Sequence, residues 1–188
     1  MTTRRKETTK NTIGLVRGSI CLVSAVLILF ASPAAARKDK EDRALFTPTV
    51  TAEQAVNIVK DVLPKLAAGN YWVKTGPRGD KTMNVALVLE GKIVSKVELN
   101  PASGEVMPKG QRIFVEQIST NPEQALDRVR QAIPNLEVAA ARMGKDGEWK
   151  VELTLKKGVI ADINIHSGDG SILADWGASR ESTLSSGM

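Results

Sequence analysis

The chain repeats itself, and this repeat limits the folds open to it more than any other feature of the sequence. Residues 51–66 align with residues 121–136: Glu53, Gln54, Ala55, Val59, Pro64 and Leu66 recur 70 positions on as Glu123, Gln124, Ala125, Val129, Pro134 and Leu136. A second block, 83–107, aligns with 149–173 at an offset of 66, where Val85, Leu87, Leu89 and Gly104 meet Val151, Leu153, Leu155 and Gly170. The fall in offset from 70 to 66 predicts a connection four residues longer inside the first copy, an insertion that loops accept at small entropic cost. The copies occupy 50–109 and 120–176, with a connector at 110–119.

Each copy opens with a helix signal. Thr51 and Asn121 are N-cap residues, and Gln54 and Gln124 follow three positions later in the capping-box arrangement. Pro122 sits at the first helical position, where its missing N–H costs nothing. Ala55, Ile58, Val59, Val62 and Leu66 form one apolar face, as do Ala125, Val129, Ala132, Ile133 and Leu136. Pro64 and Pro134 are expected to kink or end these helices.

Beyond the helices the apolar period changes to two. Met83, Val85, Leu87 and Leu89, and likewise Trp149, Val151, Leu153 and Leu155, alternate with more polar or smaller neighbours. Turns at Glu90-Gly91 and Lys157-Gly158 lead into 93–99 and 159–165 and predict hairpins. Segments 71–75 and 138–143 supply a first strand, and 105–107 and 171–173 a short last one. The expected fold is α+β: two repeated units, each a helix packed on one face of an antiparallel four-stranded sheet. Units of about sixty residues are marginal alone, so the copies are expected to pack together. Ile113, Phe114, Val115 and Ile118 make the connector too apolar for a free linker and predict a strand or helix at the interface between copies.

Charge places the first 36 residues apart. Of 26 basic and 21 acidic residues in the chain, five (Arg4, Arg5, Lys6, Lys10, Arg17) and one (Glu7) lie there, leaving a nearly balanced 21 and 20. The remainder offers no charge argument for nucleic acid. The basic start, the apolar run 20–31 and the small residues Ala34-Ala35-Ala36 have the anatomy of a secretory signal, with cleavage after Ala36 and Ala34 and Ala36 as recognition residues. The run is shorter than the ~20 residues a spanning helix needs, although an uncleaved short anchor is the alternative. A periplasmic or secreted location follows, with the membrane met only through the export signal. Cys21 is the only cysteine, so the exported chain has no disulfide and no thiol chemistry. Residues 37–49 and 177–188 are expected to be a flexible N-terminal tail and a disordered C-terminal tail.

The helix start Thr51-Ala-Glu-Gln-Ala55, the hairpin with Gly91, and the strand-turn ending Val97-Glu-Leu-Asn-Pro-Ala-Ser-Gly-Glu-Val106 together resemble the PepSY family, in tandem. Asn100 and His166 stand where that family often has Asp, which weakens any argument resting on an acid there and leaves the Gly-centred turn intact. The resemblance implies an exported binding domain of the cell envelope, without a catalytic residue set or cofactor. It also implies a protein partner, an exported peptidase under restraint being the expected one.

The residues themselves give no enzyme. His166 is the only histidine and lies before a turn, so no nucleophile and base can be paired by inspection. Cation binding through Asp162 and Asp169 is the alternative function; the first copy has Lys96 and Ser103 at those places, neither loop has the ligand density of a calcium site, and no metal ligand is assigned. Trp149 aligns with Met83 and is expected in the core. Tyr71, Trp72 and Trp176 are the candidate partner contacts, because interfaces enrich large aromatics; packing of the two tryptophans under the connector is the competing reading. An exposed edge strand offers a second route to a partner by β-addition.

Overall fold

The computed structural model of the chain describes residues 47–115 and 117–185. The signal segment, its cleavage residues Ala34 and Ala36, and residues 37–46 of the expected tail lie outside them. The order is α1 (Ala52–Val62), β1 (Ala67–Thr75), β2 (Lys81–Leu89), β3 (Lys92–Leu99), α2 (Pro122–Ala132), β4 (Glu137–Met143), β5 (Trp149–Leu155), β6 (Gly158–Ile165) and α3 (Trp176–Ser185). Both capping boxes are closed in both directions: Thr51 and Asn121 accept from the Gln54 and Gln124 N–H groups, and the glutamine side chains accept in return. Each helix gives way to a short 3-10 turn containing Pro64 or Pro134, because proline cannot continue the hydrogen-bond ladder.

The sheets are two antiparallel meanders, β1-β2-β3 and β4-β5-β6. Three strands per sheet correct the expected four. The last strand of each copy shrinks to a single bridge, Leu99 to Val106 and Ile165 to Ile172. The reason is where the chain goes next. After one more bond, Met107 N–H to Glu98 O or Leu173 N–H to Asn164 O, it crosses to the inner edge of the other sheet. There Lys109 donates to Val159 O (2.7 Å) and Asp175 to Ile93 O (2.8 Å).

The helices cross over as well. α1 packs on β4 and β5 of the second copy, and α2 packs on β1 and β2 of the first. This corrects the expectation that each helix covers its own sheet. The lead-in segments follow the same rule: Thr49 and Val50 donate to Ser167 O (3.0 and 2.9 Å), as Ser119 and Thr120 donate to Pro101 O (3.0 and 3.1 Å). Thr49, the last residue of the expected flexible tail, is therefore tied to the second copy. Trp149 fixes the same junction by donating its indole N–H to Val50 O at 2.8 Å. These contacts fall at matching positions of the repeat, so the copies are related by an approximate two-fold exchange of helices.

Exchange gives one core in place of two. Ala55, Val59, Val85, Leu87 and Leu99 of the first copy are buried in the same cluster as Ala125, Val129, Val151, Leu153 and Ile163 of the second. A turn glycine sets how closely a helix docks. Gly170 has φ +74, and a Cβ there would lie 2.9 Å from the Ile58 Cδ1 of α1.

Two further expectations change. The four extra residues of the first copy are not in a loop. They lengthen β1 and β2 to nine residues each, against seven in β4 and β5, while the intervening turns 76–80 and 144–148 are equally long. Two residues per arm keep every side chain on its face, since the period of a strand is two. The connector, expected to be a strand or helix, is irregular over its described residues, with Phe114 65% exposed. No helix among the described residues is long and apolar enough to cross a membrane.

Candidate functional site

The outer faces of the two sheets, turned away from the shared core, are where the copies part company. Register pairs Trp72 with Asn84 and Ala86 with Lys96 in the first sheet; the corresponding pairs in the second are Arg142 with Lys150 and Glu152 with Asp162. The first face carries an aromatic ring, an amide and a small residue beside one lysine, whereas the second is charged at all four places. α3 lies on the first, against β1 and β3, with Ala178 packed on Trp72 and Ala86. A helix at 176–185 corrects the expected disordered tail from 177. Its causes are local: Asp175 caps it by accepting from Ala178 N–H (2.9 Å), and Glu181 meets Lys74 (2.6 Å) and Lys96 (2.8 Å).

The candidate contacts separate accordingly. Trp72 is 2% exposed beneath α3, not the connector, which removes it as a surface anchor. Lys96 Nζ stands 6.0 Å from its ring centroid. Its indole N–H and both amide atoms of the fully buried Asn84 have no hydrogen-bond partner. Tyr71, next in the strand, faces the other way and is partly exposed at the β1 edge. Trp176, the first residue of α3, is 80% exposed.

Trp176 borders a cleft of about 350 Å³ at one end of the second sheet, lined also by Asp146, Glu148, Asn164, His166 and Leu173. The β4–β5 turn carries the two acids and is tied down by Ser167, whose hydroxyl donates to Gly147 O. Burial works to raise the Glu148 carboxyl, but its own backbone N–H, Lys150 and the Asp146 N–H outweigh it and hold the group below its ordinary value. Asp169 is held near pKa 2, first by the Ser171 N–H and hydroxyl and then by His166, whose Nδ1 is 2.9 Å from Asp169 Oδ1. Ser167 is buried with its hydroxyl committed to backbone, so Ser167, His166 and Asp169 do not line up as nucleophile, base and orienting acid.

Asp162 and Asp169 do not converge. Asp162 accepts from Lys109 and Arg142, and Asp169 from its own turn. Among the described residues no three His, Cys, Asp or Glu gather as a metal would require. The sequence reading missed Asp146 and Glu148; their only signal is the Asp-Gly-Glu turn, which reads equally as a plain hairpin turn.

No protein-family model, curated protein or solved structure matches the chain.

Proposed function

We propose that this chain is an exported, tandem PepSY-type binding protein of the cell envelope that holds a protein partner, an exported peptidase being the class the resemblance suggests. It performs no catalysis of its own. The observation that carries this reading is Trp176, which leaves most of an indole in solvent at the lip of a cleft with an acidic wall. Exposing such a side chain contributes nothing to folding, whereas a partner covering it recovers the burial, which is why tryptophan dominates binding hot spots. The Asp146 carboxylate favours a partner segment with a basic side chain beside its apolar contact, Glu148 being already paired with Lys150. Among the described residues β1 and β4 each pair on one side only, which supports β-addition as a second mode of contact.

The cation-binding alternative is weaker, since Asp162 Oδ2 is held by Lys109 and Arg142, Asp169 by its own turn, and no three such ligands gather among the described residues. The experiment is affinity retention from an envelope fraction, followed by peptidase assay of the retained protein with and without added chain. Trp176→Ala is expected to lower retention about tenfold or more. Retention of nothing above background contradicts the binding reading, and retention unaffected by Trp176→Ala contradicts the site.

A further inference from the structure

The outer face of the first sheet is built to hold a helix, and the helix it holds is poorly suited to stay. α3 has the sequence Trp-Gly-Ala-Ser-Arg-Glu-Ser-Thr-Leu-Ser, with one glycine and four hydroxyl residues among ten. Glycine and serine are weak helix formers because one gains too much freedom when unfolded and the other competes for backbone bonds. Only Ala178 and Ser182 are buried, and Leu184 is 63% exposed. α3 is held by the Asp175 cap, by Ala178 packed on Trp72 and Ala86, and by the carboxylate of Glu181 between two lysines.

The face beneath tells the same story from the other side. Trp72 Nε1 and the Asn84 amide are buried under this helix without partners, so α3 covers polar groups that it does not satisfy. The repeat supplies the comparison. The second sheet presents Arg142, Lys150 and Glu152 at the equivalent places and carries no helix on that face among the described residues. The aromatic, small and lysine-flanked character is specific to the first copy.

We infer that α3 is a displaceable plug on a helix-binding face made by Trp72, Asn84, Ala86, Lys74 and Lys96. The occupant that replaces it is an acidic helical segment of the partner protein. The inference rests on the binding reading for the existence of that partner. Charge selects the occupant: the two lysines, freed from Glu181, require a carboxylate in its place. A segment that also brings hydrogen-bonding side chains to Asn84 and the indole N–H gains bonds that α3 leaves unmade. Trp176 begins α3, so a partner that first grips Trp176 acts directly on the plug.

The test uses the full chain and α3 itself as probe, so it stands apart from whether any envelope partner is found. Hydrogen exchange by NMR is expected to show the α3 amides and the Trp72 indole N–H opening together, and far faster than the amides of β2. Glu181→Gln is expected to speed that opening about threefold to tenfold, as loss of two partly exposed ion pairs implies. A synthetic peptide spanning residues 174–188 is expected to bind the Glu181→Gln protein more tightly than the unaltered chain, and the same peptide carrying Gln at 181 to bind more weakly than the native one. Should Glu181→Gln fail to fold, Lys74→Ala removes one of the two ion pairs and is expected to speed opening less, with its own weaker hold on the peptide. Protection of α3 equal to that of β2, or an opening α3 with no peptide binding to any variant, overturns the proposal.

Discussion

Lys157 holds a backbone conformation that its counterpart in the first copy leaves to glycine. The β2–β3 turn is Glu90-Gly91, with φ +50 and +80; the β5–β6 turn is Lys156-Lys157, with φ +49 and +69, one residue earlier than the Lys157-Gly158 expected from the sequence. Two left-handed residues match the twist of a tight hairpin, and a side chain there is strained. Lys157→Gly is therefore expected to stabilise the fold by about 1 kcal/mol, and Gly91→Ala to destabilise it by a similar amount, both measurable by urea unfolding. Glu181 governs a second residue-level effect. Burial alone would raise its carboxyl, but Lys74 and Lys96 hold it below its ordinary value. A depressed folded pKa contributes stability above the unfolded value of about 4.3, and that contribution is lost as pH falls through the lower folded value. Exchange protection of α3 is accordingly expected to fall as pH drops below about 4.3 in the native chain. In Glu181→Gln that fall is expected to be smaller. The turn at Asp169 follows the same sign: its bonds persist above the ordinary carboxylate range and fail as pH approaches 2.

At the scale of elements, what the sequence made legible is what local chemistry decides. Thr51 with Gln54 and Asn121 with Gln124 announce helix starts because a cap is a contact between residues three apart. Asn121→Ala is expected to cost about 1 kcal/mol of global stability, read as a lowered urea midpoint at unchanged slope. The alternation around Val85 and Val151 gives strands for the same local reason. By contrast, α3 has no apolar stripe, and its causes are Asp175 at one end and lysines more than eighty residues away. No periodicity encodes such a helix. The fourth strands failed because Val106 and Ile172 look like strand residues, while the bonds that draw the chain away, at Lys109 and Asp175, are made to the other copy. Of the candidate contacts, Trp176 keeps its exposure. Trp72 is buried by the element that the sequence did not reveal.

Across the whole molecule, the exchange of helices was illegible for a definite reason. Ala55 and Val59 of α1 have the same identities as Ala125 and Val129 of α2, so either helix buries the same kind of surface on either sheet. Chain path decides between the pairings: the lead-in bonds to Ser167 and Pro101 and the exits to Val159 and Ile93 all join one copy to the other. A single copy therefore lacks a cover for its own sheet. Residues 47–110 alone are expected to be an unfolded monomer at low concentration and a helix-exchanged dimer at high concentration. Sedimentation with circular dichroism checks this, and a folded monomer would count against it.

Helix exchange is tested most directly by a methyl nuclear Overhauser effect from Ile58. Its Cδ1 lies beside Gly170 in the second copy, so a cross-peak from the Ile58 methyl to the Gly170 α-protons is the expected result. A cross-peak to Gly104, the equivalent glycine of its own copy, in place of Gly170 would contradict it.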